Sequence, residues 1–277
     1  MQTPDRTKPM IFFTDIDGTL VDDAKQISAE TLAALGEFLS RGNLLTVSTG
    51  RALPSALQLL EHLGIAGREN VWLSTYNGAL IYDTFRRREI LRRGIAPALV
   101  RRVFDAAQAF GIHIQTYSDT AVLAEEDNAQ LQYYLKLQKL PGEIVPEIEA
   151  ALEKEPCKIL AVDFSNPANV LAFREEAIRQ FGSELNIFRS NDFLLEFVAP
   201  GVDKGSALHC LCDQTGIPIA QTVSAGDAEN DAPMIREAAV GCAMKNGEAP
   251  LRAHADYVTQ ADNNHSGVAE ILKRFCL

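Results

Sequence analysis

The sequence predicts an α/β protein: a parallel β-sheet covered by helices on both faces, interrupted by an inserted α+β domain. Three observations carry that prediction. Short, nearly all apolar runs recur at residues 10–13, Leu44–Ser48 and Val71–Thr75, the pattern of strands buried on both faces, and the parallel-sheet character returns with strands at 221–225 and 240–244. Stretches of helical periodicity separate them, as the crossovers of a parallel sheet require. From about residue 84 to residue 191 the pattern changes to helices alternating with strands of mixed polarity, a segment of ordinary domain size. The expected division is therefore a core of residues 1–83 and 192–277, with residues 84–191 as the insertion.

Taken in order, Met10, Ile11, Phe12 and Phe13 form the first strand, which stops on Asp15 and Asp17. Residues i and i+2 of an extended segment point to one side, so both acids lean towards one place beyond the strand's carboxyl end. Gly18 lets the chain turn, and Thr19 can satisfy backbone groups in that turn. Ser28 is placed to cap a helix carrying Thr31, Leu32, Leu35, Phe38 and Leu39, which Gly42 ends. Leu44–Ser48 is a second strand, breaking into Thr49, Gly50 and Arg51. Pro54 opens a helix through Leu57, Leu60 and Leu63, and Val71–Thr75 is a third strand, followed by Asn77 and Gly78 and a short strand at 79–82.

Within the insertion, helices are expected at 98–110, 129–137, 148–153 and 168–181, and strands at 112–117, 121–124, 158–164 and 185–189. The core pattern returns after residues 193–198. Asp203, Lys204 and Gly205 open a helix through Ala207, Leu208 and Leu211. The strand at 221–225 ends in Gly226, Asp227, Ala228, Glu229, Asn230 and Asp231. Residues 240–244 and 257–259 supply the last strands, and Gly267 starts a closing helix.

Composition narrows the function. A net charge of −11 argues against a nucleic-acid binder, because a phosphate backbone demands a basic face. Arg86, Arg87 and Arg88 form a local basic run that reads as a solvated loop or strand end. Five cysteines at unrelated spacings suggest neither a zinc site nor a disulfide framework, and favour a reduced, cytoplasmic setting. No stretch approaches the ~20 apolar residues of a membrane span, and residues 1–9 lack the apolar core of a signal peptide. None of the five histidines has a partner at metal-ligand spacing. Trp72 reads as core, Tyr133 and Tyr134 as a helix packing face, and Glu196 as structural.

Chemistry concentrates at the ends of the predicted parallel strands, where ligands sit in sheets of this kind. Asp15 and Asp17 end the first, Thr49 follows the second, Asn77 the third, and Asp227 and Asp231 follow the strand at 221–225. Paired carboxylates at the mouth of an apolar strand repel unless a cation or shared proton relieves them. Clustered carboxylate oxygens suit Mg²⁺ rather than zinc or copper. Lys204 adds a point cation before a helix. A nucleophilic carboxylate, a hydroxyl turn, a lysine and an acidic metal turn together suit phosphoryl transfer through an aspartyl phosphate.

The chain resembles the haloacid dehalogenase superfamily, in its Cof-like phosphatase branch with a C2B-type cap. The matching stretches are Asp-Ile-Asp-Gly-Thr-Leu at 15–20, Ser-Thr-Gly-Arg at 48–51, Asn-Gly at 77–78, Asp-Lys-Gly at 203–205 and Gly-Asp-Ala-Glu-Asn-Asp at 226–231. The resemblance implies a Rossmann-like core with residues 84–191 as the cap. It implies Asp15 as nucleophile and Mg²⁺ ligand, and Asp17 as acid and then base, with its backbone carbonyl on the metal. Thr49 and Lys204 would hold the phosphoryl oxygens, and Asp227 would ligate Mg²⁺. Asp231 would complete the acidic shell or support Lys204. Gly50, Arg51, Asn77 and Asn230 are expected at the substrate, although Arg51 equally suits pairing with an acid and Asn77 turn chemistry.

The expected activity is Mg²⁺-dependent hydrolysis of a small phosphomonoester, a sugar phosphate or a phosphorylated cofactor, by a monomer or homodimer acting without nucleic acid or membrane. A phosphotransferase or mutase would use the same intermediate. A non-catalytic phosphate sensor leaves the second acid, Asp17, without a purpose. A metal-dependent glycosyltransferase leaves Lys204 and the late acidic turn unexplained.

Overall fold

A computed structural model describes residues 3–277, which divide into two compact units. The first takes the described residues up to Arg51 with Ala56–Leu91 and Asp203–Leu277; the second takes Ala52–Ser55 and Arg92–Val202.

The chain runs β1 (Ile11–Asp15), α1 (Ala29–Ser40), β2 (Leu44–Ser48), α2 (Leu53–His62), β3 (Val71–Thr75), β4 (Leu80–Asp83) and β5 (Arg88–Arg92). Then follow α3 (Pro97–Phe110), β6 (His113–Tyr117), β7 (Val122–Ala124), α4 (Ala129–Gln138), β8 (Gly142–Ile144), α5 (Ile148–Ala151), β9 (Ile159–Val162), α6 (Pro167–Phe181), β10 (Asn186–Asn191) and β11 (Leu194–Val198). The chain closes with α7 (Lys204–Thr215), β12 (Thr222–Gly226), α8 (Ala232–Glu237), β13 (Val240–Ala243), α9 (Ala249–His254), β14 (Tyr257–Val258) and α10 (Gly267–Phe275).

In the first unit the sheet order is β14-β13-β12-β1-β2-β3-β4-β5. β14 through β3 run parallel, and β4 turns back antiparallel on β3. The order reverses at β1, whose neighbours are β2 on one side and β12, more than 200 residues later, on the other. Such a reversal opens a crevice at the carboxyl ends of the strands. β1 is buried throughout, which its apolar run requires. Ile11 and Phe13 pack on Ala207, Leu208, Met234 and Ile235 from α7 and α8, while Phe12 meets Phe38 of α1 edge-on at 6.2 Å. Each fully buried phenylalanine contributes about 1.5–3 kcal/mol relative to exposure.

Helix ends follow the sequence signals. The Ser28 hydroxyl accepts from the Thr31 N–H at 3.1 Å to start α1. At α7, the Asp203 carboxylate accepts from the Ser206 N–H at 2.7 Å, and the Ser206 hydroxyl accepts from the Asp203 N–H at 3.1 Å. That reciprocal cap fixes the first turn, on which Lys204 stands.

The second unit holds a six-stranded sheet, β10-β11-β9-β6-β7-β8, with α3 and α6 over one face. Phe104, Phe173, Phe181 and Phe197 fill that core. The units change over eight and eleven residues later than composition divides the chain, at 91/92 and 202/203 rather than 83/84 and 191/192. β5 lies beside β4 in the first sheet, and the basic run Arg86, Arg87 and Arg88 ends the turn and begins that strand, in keeping with the loop or strand end expected of it. β11 lies between β10 and β9 although its apolar run looks like a parallel core strand. Composition reports burial, and an antiparallel strand buried on both faces looks the same. β9 is likewise buried at all four positions.

Among the described residues, no helix is long and apolar enough to cross a membrane. Trp72 is only partly buried, against the core, and Tyr134 is buried while Tyr133 is exposed. Glu196 pairs with Lys158 at 3.3 Å within the second unit.

Candidate active site

The carboxyl ends of β1 and β12 bring Asp15 and Asp227 together, and the one-turn 3₁₀ segment Glu229–Asp231 adds Asp231. Each of these three acids offers a carboxylate oxygen within 4.8 Å of the other two. The Lys204 ammonium, wholly buried, donates to Asp15 Oδ1 at 2.6 Å and Asp231 Oδ1 at 2.5 Å. Asp231 Oδ2 accepts from the backbone N–H groups of Asp227 at 2.9 Å and Ala228 at 3.0 Å. Asp231 thus has both oxygens committed, and it holds Lys204 and the turn in place. Asp227 Oδ1 accepts from the Thr19 hydroxyl at 2.8 Å, a side-chain task beyond the local turn expected of that threonine.

The charges do not balance. Three carboxylates face one ammonium. Burial, with the neighbouring Asp231 and Asp227 charges, pushes Asp15 up to about 8 against the pull of Lys204. Burial and Asp231 likewise push Asp227 up to about 6, although the Thr19 hydrogen bond and Lys204 act the other way. The Lys204 ammonium is raised above its ordinary value: desolvation opposes its charge, and Asp15 and Asp231 outweigh that. A dry cluster of hard oxygens short of positive charge fits a divalent metal ion, with Asp15 and Asp227 the acids best able to ligate it.

Asp17 has a different environment. Its carboxylate accepts from Arg51 Nε and an Arg51 terminal nitrogen, both at 2.8 Å, and from Lys25 at 2.7 Å. Burial opposes its charge, but these hydrogen bonds and cations prevail and hold it below the usual carboxylate range. Arg51 therefore takes the pairing alternative that its sequence context left open. Lys25 was not singled out in the sequence; its only signal is a basic residue in a polar loop seven residues after Gly18.

The turns after β2 and β3 are tied together. The Asn77 N–H donates to the Thr49 carbonyl at 3.0 Å, and the Tyr76 N–H donates to the Arg51 carbonyl at 3.1 Å. The Thr49 hydroxyl accepts from the Arg51 N–H at 3.2 Å. Asn77 is left-handed at φ 57°, as its turn role requires, and its side-chain oxygen accepts from Asn230 at 3.2 Å. A Cβ on Gly50 would lie 3.2 Å from the Asn77 amide, so Gly50 abuts Asn77 closely. Every residue singled out at the strand ends thus lies in the first unit, in two linked groups: Asp15, Lys204, Asp227 and Asp231, and Asp17, Thr49, Gly50, Arg51, Asn77 and Asn230.

Gly18 does more than turn the chain. Its φ is +80°, and a Cβ there would lie 2.4 Å from Asp227 Oδ2. Gly18→Ala should therefore push Asp227 away and cost at least tenfold in kcat/KM, with the melting temperature lowered by several degrees. Full activity with an unchanged melting temperature would show that the contact tolerates a methyl group.

Residues 12–272 match the model of the haloacid dehalogenase-like hydrolase family. Phosphatase YwpJ of Bacillus subtilis is 25% identical over 284 residues, covering 94% of this chain and 97% of that protein. The 5-amino-6-(5-phospho-D-ribitylamino)uracil phosphatase YcsE of the same organism is 26% identical over 269 residues, covering 95% and 94%. The crystal structure of a haloacid dehalogenase-like hydrolase from Bacteroides thetaiotaomicron superposes with a TM-score of 0.86 at 25% identity, covering 96% of this chain and 99% of that one.

Proposed function

The chain belongs to the haloacid dehalogenase-like hydrolases, in their Cof-like phosphatase branch, and from that premise we propose that it hydrolyses small phosphomonoesters through an aspartyl phosphate on Asp15, with Mg²⁺ as cofactor. The observation that carries this reading is the buried Lys204 joining Asp15 to Asp231 with Asp227 alongside. It is a nucleophile, a cation and a metal-ligating acid within one few-ångström cluster.

Asp15 attacks phosphorus, and the bond to the ester oxygen breaks. Asp17 gives that oxygen its proton, so an alcohol leaves. Water then attacks the phosphoryl group, Asp17 takes a proton from it, and the Asp15 carboxylate is released with inorganic phosphate. Lys204 and Thr49 hold the phosphoryl oxygens meanwhile. Asp15 and Asp227, with the Asp17 backbone carbonyl, would hold Mg²⁺, which when bound offsets the negative charge gathered at phosphorus. As found, Asp17 is clamped by Arg51 and Lys25 in the form that accepts a proton. Its donor role requires it to exchange that clamp for the ester oxygen. That exchange turns Arg51 towards the substrate, with Asn77, Gly50 and Asn230 beside it in the first unit.

The test is phosphate release from a panel of sugar phosphates, phosphorylated cofactors and the ribitylaminouracil phosphate named for the relative YcsE, with Mg²⁺ present. Free inorganic phosphate from at least one ester supports hydrolysis. Transfer of the group to an acceptor hydroxyl, with no phosphate released, would make the protein a phosphotransferase instead.

A further inference from the structure

Among the described residues, five buried side-chain polar atoms lack a hydrogen-bond partner, and four are hydroxyls on β2 and β3: Thr46, Ser48, Ser74 and Thr75. Buried polar groups are overwhelmingly paired, so a cluster of exceptions calls for a reason. The register supplies one. Asp15 of β1 lies opposite Ser48 of β2, and Ser48 lies opposite Ser74 of β3. Their side chains share a face, because Ile11 and Phe13, Leu44, and Trp72 on the same strands all pack into the core beneath α7 and α8. Asp15, Ser48 and Ser74 thus form one cross-strand row, with neighbours about one strand spacing, ~4.8 Å, apart. Ser48 and Ser74 are both fully buried.

We propose that Ser48, backed by Ser74, is a positioning residue for Asp15: its unpaired hydroxyl takes over the Asp15 carboxylate when Lys204 turns to the transferring phosphoryl group. In the structure Lys204 is Asp15's cation, with both of its contacts made to carboxylates. Its third N–H is open to a phosphoryl oxygen, and swinging the ammonium towards that oxygen loosens its hold on Asp15. A hydroxyl rotates at little cost, and Ser48 is the nearest donor in the row. The arrangement leaves a donor unsatisfied in the absence of substrate and uses it during turnover, which explains why an apolar residue does not occupy so dry a position.

This inference rests on Asp15 being the nucleophile, and the experiment separates the two. Ser48→Ala, Ser48→Thr and Ser74→Ala are compared with the parent protein for kcat, KM, melting temperature and phosphate on quenched Asp15. Ser48→Ala should lower kcat about tenfold with KM within twofold, while its melting temperature holds or rises because an unsatisfied donor is gone. Ser48→Thr, which keeps the hydroxyl on a β-branched side chain suited to a strand, should recover most of that loss. Ser74→Ala should lose about threefold. A purely structural hydroxyl would give the opposite pattern, a lowered melting temperature with kcat preserved, and that overturns the inference. So does a kcat loss in Ser48→Ala that threonine does not recover. If Asp17→Asn protein carries phosphate on Asp15 and Ser48→Ala turns over like the parent, this inference alone fails. If quenched Asp17→Asn protein carries none while it turns over an aryl ester, the nucleophile assignment fails and takes this inference with it.

Discussion

Stripped of divalent cations, the protein should release no phosphate from any ester, and Mg²⁺ should restore turnover where Ca²⁺ does not. Asp15, Asp227 and Asp231 set three carboxylates against the single Lys204 ammonium, and a phosphate dianion adds two further negative charges. A like-charged pair 4 Å apart costs about 4 kcal/mol at an effective dielectric constant near 20, so the expected loss is about 10³-fold or more. Ca²⁺ takes more ligands at longer, looser distances and would misplace the in-line attack. Stability gives a second readout. Burial raises Asp15 from 3.8 to about 8 and Asp227 from 3.8 to about 6, so the folded state holds protons there that the unfolded state has lost. Stability of the metal-free protein should therefore fall through this cluster as pH rises from 4 to 8. Mg²⁺ should raise the melting temperature most at the upper end of that window. Full activity in chelator, with a melting temperature indifferent to Mg²⁺, would remove the metal from the account.

The two acids of the first motif should behave differently when each is changed to its amide. On the proposed roles, Asp15→Asn would lose the nucleophile, and turnover of every ester should fall by about 10⁴-fold or more, to background. Asp17→Asn would keep the nucleophile but lose the proton donor and later base, functions that contribute about 10²–10⁴-fold. Its effect should depend on the leaving group. An alkyl phosphate, whose alkoxide leaves poorly, should be nearly inert at the first step. A p-nitrophenyl ester needs no proton to depart, so nitrophenol should appear in a burst close to one per site before a slow steady state. Equal losses with both esters, and no burst, would mean that Asp17 is not the acid. The amide also removes the charge that Arg51 and Lys25 pair with, so the melting temperature of Asp17→Asn shows whether that clamp contributes to stability.

The fold and the strand-end positions of the candidate residues were legible in the sequence, because those residues stand where apolar runs stop. A strand such as Ile11–Asp15 announces its carboxyl end by the switch from phenylalanine to aspartate. The same switch marks Thr49, Asn77 and Asp227. Pairings between distant segments were not legible. Nothing local says that Asp231 divides its oxygens between Lys204 and two N–H groups, or that Thr19 donates to Asp227. Lys25 reaches Asp17 only because the loop after β1 folds back, through a left-handed backbone at φ 60°. Ser48 and Ser74 read as ordinary strand residues until register sets them in line with Asp15. The changeover between units at Val202 rather than residue 191 was hidden for a similar reason, since β11 is as apolar as the parallel strands it resembles.

The most direct test of the central claim is mass spectrometry of Asp17→Asn protein quenched during turnover of p-nitrophenyl phosphate with Mg²⁺. Removing the base that activates water should stall the intermediate, so one phosphoryl group per chain should be found, on the peptide carrying Asp15. Continued turnover of the aryl ester with no phosphate on Asp15 would contradict the assignment of that carboxylate as the nucleophile.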